Sequence, residues 1–474
     1  MKSLKDKEKL DVFKDLRTCS RSQRHMRILA YYTALLPFVA YLINCVMYCC
    51  FDTNSAMGLL NYQFIYAGEA FLLISLYFEA RKFANIDFVV ANYNPKNVKS
   101  TIARFFKTYP EVIALAALLV WMIFSSFFHP NSFSIFHFIT STTFHLQTGV
   151  IFYFFAAACL WAGFRINDTK VRKHIVYTVV CAITFCVLTS LIDPKSELLI
   201  NQNRNTFWAS MFLNSNHFGY MLTLLISITA SVFCLSEDKK LKYTSLAVMI
   251  IATTTAFFND TLGAQLALFL GLIILPIVFS LFKRKFKVIY LAPLGIFVVL
   301  SFATLPFASK MNSLYTSFFK QVGGLMKDIF NITHDPLSEA TAKAGTNRWG
   351  LWLKAVQDIL EHPIVGRGNV FFKPHNEYLE LAGHFGIPAL IAYLTALVII
   401  YVKAIKHYNK MSNFSLVLLF AVGVYLIDAF FGNIMPHTTP FYCLILGICI
   451  KQVNHDIALQ PSPSATNNNT KTNS

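Results

Sequence analysis

A chain of 474 residues that is 55% hydrophobic, 15% aromatic and only 14% charged cannot close into a water-soluble globule. Soluble domains carry about 25% charged residues, and one hydrophobic core rarely grows beyond about 250–300 residues, so the surplus apolar surface has to face lipid. The formal net charge of +17 is distributed as a topology signal, a simpler reading of it than nucleic-acid binding.

The basic segment 1–27 has no apolar h-region or cleavage site of its own, so the first span can serve as an uncleaved signal anchor. Apolar runs then predict transmembrane helices near 28–50, 58–78, 110–128, 145–163, 174–192, 209–235, 243–258, 262–282 and 288–306. A long loop follows over 307–384, and further spans lie near 385–402, 414–431 and 436–450. The expectation is an all-α integral membrane protein of about 12 spans, many of them near the roughly 20 residues that cross a hydrocarbon core. Lipid offers backbone groups no partner, so helices satisfy them internally. A β-barrel would instead alternate apolar and polar residues over strands of roughly 10 residues. The seventh span is short. Residues 451–474 read as a cytoplasmic tail, disordered where Ser, Asn, Thr and Pro dominate from Gln460.

Charge orients the array. With the N-terminus inside, cytoplasmic segments hold 31 of the 41 Lys and Arg, including the Lys283–Lys287 cluster, and four short outer loops hold none. The outer loop 193–208 holds Lys195 and Arg204, and the loop 307–384 holds eight. Excess Lys and Arg in short loops marks the cytoplasmic side, which places both termini inside and the long loop outside. Of the ten cysteines, Cys19 is cytoplasmic and nine fall in or at the ends of spans, as small buried hydrophobes do. No metal-ligand spacing stands out, since His129, His137 and His145 are eight apart and share no close helical face.

A loop of this length is functional or disordered, and this one has pattern. Apolar residues recur at helical spacing from Met311 through Leu314, Tyr315, Phe318, Phe319, Val322, Leu325, Met326, Ile329 and Phe330. Such a helix lies on the membrane surface or packs on the ends of the spans, with Gly323-Gly324 as a possible bend. A second helix reads from about Asn347, its expected cap, to Leu360, with Arg348 in the first turn. Gly366-Arg367-Gly368-Asn369 reads as a tight turn, and Asn376 as the N-cap of a further helix with Glu377 and Glu380 in its first turn. That places His375 beside the positive end of a helix dipole, where an anion is favoured and an imidazolium is not. His375 is therefore expected to be neutral and able to accept a proton near pH 7.

Three motifs in order, Asn347-Arg348-Trp349-Gly350-Leu351-Trp352, His362-Pro363-Ile364-Val365-Gly366-Arg367-Gly368 and His375-Asn376 with Gly386-Ile387-Pro388-Ala389 nine residues on, resemble the outer loop of the O-antigen ligase and O-antigen polymerase family of bacterial membrane glycosyltransferases. Weaker echoes are Asn214–Gly219 and the approximate span count. The resemblance implies an inverting enzyme of the bacterial plasma (inner) membrane. It would move a glycan from an undecaprenyl diphosphate-linked donor to a sugar hydroxyl of a glycan or glycolipid acceptor on the outer face, without a metal or other cofactor. It further implies His375 as the base toward the acceptor hydroxyl and Arg348 as a ligand of the donor diphosphate. The chemistry agrees: a positioned base contributes about 10²–10⁴-fold, and arginine meets a leaving diphosphate bidentately.

Two departures stand out. Many relatives carry a Ser-Arg pattern at the outer end of the span 7–8 hairpin, where this chain has Asn259-Asp260-Thr261-Leu262-Gly263. Arg204 or Arg367 would have to replace that arginine. Ala389 stands where the family's last glycine is expected. Supporting roles fall to Asn376, Glu377, Gly386 and Asn216, with Glu377 a candidate to orient His375. Each residue also has a plainer reading: a cap neighbour for His375, a snorkelling side chain for Arg348, a solvated turn charge for Arg367. Asp428 and Glu69 lie within spans, where ionisable groups tend to be functional or paired with a hydroxyl or amide. Rival functions are a lipid-linked glycan flippase or other 12-span transporter, which predicts two similar halves, and a protein O-oligosaccharyltransferase, which shares the loop pattern.

Overall fold

The computed structural model describes residues 21–51, 103, 105–129, 150–192, 210, 215–307, 317–335, 344, 347–368, 371–435 and 438–459. Apart from short 3-10 turns, all regular structure among them is α-helix: α1 (Arg21–Phe51), α2 (Pro110–Ser126), α3 (Val150–Arg165), α4 (Thr169–Ile192), α5 (Ser215–Leu235), α6 (Lys239–Asn259), α7 (Leu262–Lys283), α8 (Ala292–Ala303), α9 (Phe318–His334), α10 (Arg348–Glu361), α11 (Glu377–Phe385), α12 (Ile387–Lys406), α13 (Asn413–Asp428) and α14 (Thr439–Ala458). Seven segments are long and apolar enough to cross a membrane: Thr169–Ile192, Ser215–Leu235, Lys239–Asn259, Leu262–Lys283, Val288–Phe307, Ile387–Lys406 and Asn413–Phe431. Helix also occupies the predicted spans near 28–50, 110–128 and 436–450 and most of 145–163. The predicted span 58–78 lies outside the described residues.

α5 is the centre of the bundle, buried along nearly its whole length, and it packs against α6, α7 and α13. α3 and α14 form the closest pair. Glycines make this possible: a Cβ on Gly163 or Gly447 would collide with the backbone of the opposite helix at Leu444 or Leu160, and small residues let helix backbones approach in a membrane protein.

Two boundaries differ from the sequence reading. The seventh span is a full helix of 21 residues, capped by Asp238, whose carboxylate accepts from the backbone N–H of Lys240 and Leu241. The tail expected from residue 451 instead continues α14 to Ala458. Its polar residues Gln452, Asn454 and Asp456 are buried and take partners there. Asn454 Nδ2 donates to Glu111 Oε1 at 2.6 Å, beside the ion pair of Glu111 with Lys403 at 2.7 Å. Gln452 Oε1 accepts from the buried Arg172, and Asp456 accepts from Ser412 and Ser415. A hydropathy scan ends the span where these residues begin, yet they hold α2, α4, α12 and α13 to one another.

Between α8 and α10, α9 is a continuous helix, and Gly323-Gly324 does not break it. Phe318 is buried against the rings of Phe257, Phe269 and Phe297, and Gln321 donates to Asp260 at 2.8 Å. Further on, Met326, Ile329 and Phe330 are exposed. The start of the helix packs on the spans, and the rest presents an exposed apolar face. Residues 308–316, where the helix was expected to begin, lie outside the described residues.

Candidate functional site

The short helices α10 and α11 and the link between α13 and α14 meet at one end of the bundle. Asn376 caps α11 as expected, its Oδ1 accepting from Tyr378 N and Leu379 N at 3.0 Å each. His375 therefore stands at the helix start, in the left-handed region with φ +55°, a conformation that non-glycine residues adopt at a cost and that clusters at functional sites. Asn347 differs from expectation. It occupies the residue before α10, but at φ +68° its side chain makes no capping bond.

Trp352 lies one turn beyond Arg348 on the same face of α10, and its indole N–H donates to Pro374 O at 3.0 Å. Arg348 and His375 are thereby held together. The Nη1 of Arg348 is 3.7 Å from the position a Cβ would take on Gly263, so its guanidinium stands at the α6–α7 corner. Burial lowers its pKa, and Tyr220 and Asp428 oppose that shift. Asp428 itself accepts from Thr223 Oγ1 at 2.7 Å, the hydroxyl partner its place in a span suggested.

Lys373, to which the sequence reading assigns no role, supplies a second cation. It is largely buried, with Nζ 3.8 Å from Glu380 Oε1. Its charge and that of Arg348 both depress the pKa of His375, after the larger effect of burial. His375 is neutral at pH 7, as expected, with two cations beside it.

Its orienting partner is Asn433, which the sequence did not single out. The backbone N–H of His375 donates to Asn433 Oδ1 at 2.9 Å, and Nδ2 of the same amide lies 3.1 Å from His375 Nδ1. Asn433 is held in turn by its neighbour, since Ile434 N donates to Glu380 Oε2 at 2.9 Å. Glu377, the expected orienter, turns instead into the bundle and accepts from Tyr425 Oη at 3.1 Å. Its burial, with Glu380 nearby, raises its pKa to about 8, so its carboxyl is mostly protonated at neutral pH.

Not every candidate joins this cluster. Arg367 is paired with Asp358 at 3.0 Å, near the far end of α10, on the order of 15 Å along the helix from Arg348 at 1.5 Å per residue. Gly386 has φ +84°, and a Cβ there would overlap the carbonyl oxygen of Ile364. It joins the Pro363–Ile364 turn to the start of α12, with Ile387 N donating to Pro363 O at 2.8 Å. Asn216 lies in the first turn of α5, close in sequence to Gly219, which packs on Thr261 and Ala264 of the same corner. Arg204 lies outside the described residues, as do Glu69, Asp193, His137, His145 and His437.

An apolar cavity of about 400 Å³ opens between α2, α3 and α14. Its wall includes Val112, Leu119, Trp161, Tyr393 and Tyr442, and Glu377 also lines it. Glu377, on the first turn of the helix that follows His375, and Ile434, next to Asn433, are the lining residues nearest in sequence to the polar cluster.

Fold and site together define a helical membrane protein with a cation-rich polar centre built on its short loop helices. Residues 247–394 match the family model Wzy_C, O-antigen ligase. The resemblance in the loop motifs is thereby supported at the level of the O-antigen ligase and polymerase family, a glycosyltransferase-type enzyme family. The match takes in Arg348, Arg367, Lys373, His375 and Gly386 but ends before Asn433. No curated protein matches the chain significantly.

Proposed function

We propose that this chain transfers a glycan, with inversion, from an undecaprenyl diphosphate carrier to a sugar hydroxyl on the outer face of the bacterial plasma membrane. The observation that carries the reading is the convergence of Arg348 and Lys373 on His375, in a bundle that also holds an apolar cavity. A diphosphate seeks fixed cations, and guanidinium and ammonium groups in a site screened from water stabilise the charge that develops on it as it leaves. The isoprenoid chain of the same donor suits an apolar cavity opening among the spans. His375 is the catalytic side chain in this reading, exchanging a hydrogen bond with the reacting oxygens. Arg348 binds the diphosphate, with Arg367 and Arg204 as outer candidates. Asn376, Gly386 and Asn216 hold the surrounding backbone. The N-terminus and the tail are cytoplasmic, and the loop 307–384 is extracytoplasmic.

The test is direct. Protein purified in detergent and given a glycan on polyprenyl diphosphate releases polyprenyl diphosphate, and His375→Ala lowers that release by about 10²-fold or more while the protein remains folded. Release by the variant at the wild-type rate removes His375 from the reaction. No release by the wild-type protein with any acceptor, together with movement of the intact donor across vesicles, would favour a flippase. Offering a second lipid-linked repeat or a lipid A-core acceptor separates polymerase from ligase.

A further inference from the structure

We infer that Asn433 fixes the proton of His375 on Nε2, so that His375 presents a hydrogen-bond donor, not a base, to the reacting oxygens; the inference rests on the transferase reading above. The argument starts from the backbone. An amide side chain has one accepting and one donating end, and which end faces which neighbour is settled by the partners. The backbone N–H of His375 can only donate, so the atom of Asn433 that faces it at 2.9 Å is the oxygen. The other end of the same amide, 3.1 Å from the ring, is then the NH2 group. It too can only donate, so Nδ1 is the acceptor and carries no hydrogen. A neutral imidazole with a bare Nδ1 has its proton on Nε2.

Rotating the Asn433 amide would set two N–H groups against each other at the backbone. Protonating Nδ1 would do the same at the ring, and the charges of Arg348 and Lys373 oppose the imidazolium as well. The ring thus has no vacant position for a proton. No other hydrogen bond to it is formed among the described residues, which leaves Nε2–H for a ligand. In the transfer, the C–O bond to the diphosphate breaks and its electron pair stays on the diphosphate oxygen. His375 stabilises that oxygen by hydrogen bonding without giving up its proton. The proton shed by the acceptor hydroxyl as the new C–O bond forms leaves on the diphosphate.

Asn433 is a positioning residue in this scheme, and paired substitutions test it. The amide nitrogen of a glutamine reaches the place of Nε2–H, whereas that of an asparagine reaches the place of Nδ1. A donor role predicts that His375→Gln retains release within about 10-fold of wild type, while His375→Asn and His375→Ala fall by about 10²-fold or more. If Gln and Asn fall together to the level of Ala, the donor role is wrong. The tautomer is read independently from ¹⁵N resonances of labelled histidine, with His375→Gln identifying the signal. Wild type shows a protonated Nε2 and a bare Nδ1 at pH 7. Asn433→Asp, whose carboxylate only accepts, moves the proton to Nδ1. A wild-type signal with Nδ1 protonated overturns the inference whether or not transfer is detected, and this separates its failure from failure of the proposed function.

Discussion

The indole of Trp352 donates to the carbonyl of Pro374 across 3.0 Å, and this bond ties the helix that carries Arg348 to the segment that carries His375. Neither side chain is placed by its own element alone. Arg348 rests against the corner at Gly263, and His375 rests on Asn433.

Replacing Arg348 by alanine removes the cation at that corner and lowers polyprenyl diphosphate release by about 10²–10³-fold. Arg348→Lys restores part of it, because an ammonium supplies the charge without the two-pronged geometry. Single-turnover release with the enzyme in excess over the donor measures both.

Glu377 makes stability fall as pH rises from mildly acidic to about 8. Its pKa in the folded protein is raised to about 8, above the ordinary carboxyl value of about 4.3. The stabilisation from holding it protonated is therefore complete at pH below that ordinary value and is lost as pH rises through about 8. The wild-type melting temperature falls between about pH 5 and pH 8 and levels off above, and that of Glu377→Gln falls less. Thermal unfolding in detergent at the two pH values measures the difference.

Gly386→Ala puts a Cβ where Ile364 O already stands, on a backbone with φ +84°. A loss on the order of 3 kcal/mol is expected, with release failing in proportion to the unfolded fraction. Circular dichroism during thermal unfolding separates this from a chemical defect.

Lys403→Met leaves the carboxylate of Glu111, fully buried, without its 2.7 Å ion pair. Breaking a buried pair from one side costs about 3–5 kcal/mol. Adding Glu111→Gln recovers part of the loss, since Asn454 and the new amide still have a partner. A double-mutant cycle on melting temperature checks this.

What could be read from the chain follows the range of the interaction. Apolar runs and the Asn376 cap are local, and among the described residues the structure has helix at the apolar runs and the cap at Asn376. The ordered motifs around Arg348 and His375 lie on adjoining elements. Asn433 is 58 residues from His375, and nothing local says which amide will meet which ring. Lys373 stood in plain view, but its burial beside Glu380 comes from tertiary packing. Asn347 carries the residue type of a cap, yet its positive φ turns the side chain away. The end of α14 was misjudged because hydropathy counts Gln452, Asn454 and Asp456 as water-seeking, whereas each finds its water substitute on a neighbouring helix.

That row of amides and carboxylates has a mechanical consequence. Greasy flanks slide past one another at little cost, but a hydrogen bond weakens sharply once its donor and acceptor drift apart. When a bilayer thins or thickens, helices commonly answer by tilting. α14 is latched at its far end to four neighbours and begins six residues after Asn433, so the grip of that amide on the imidazole is shielded from changes in the lipid around it.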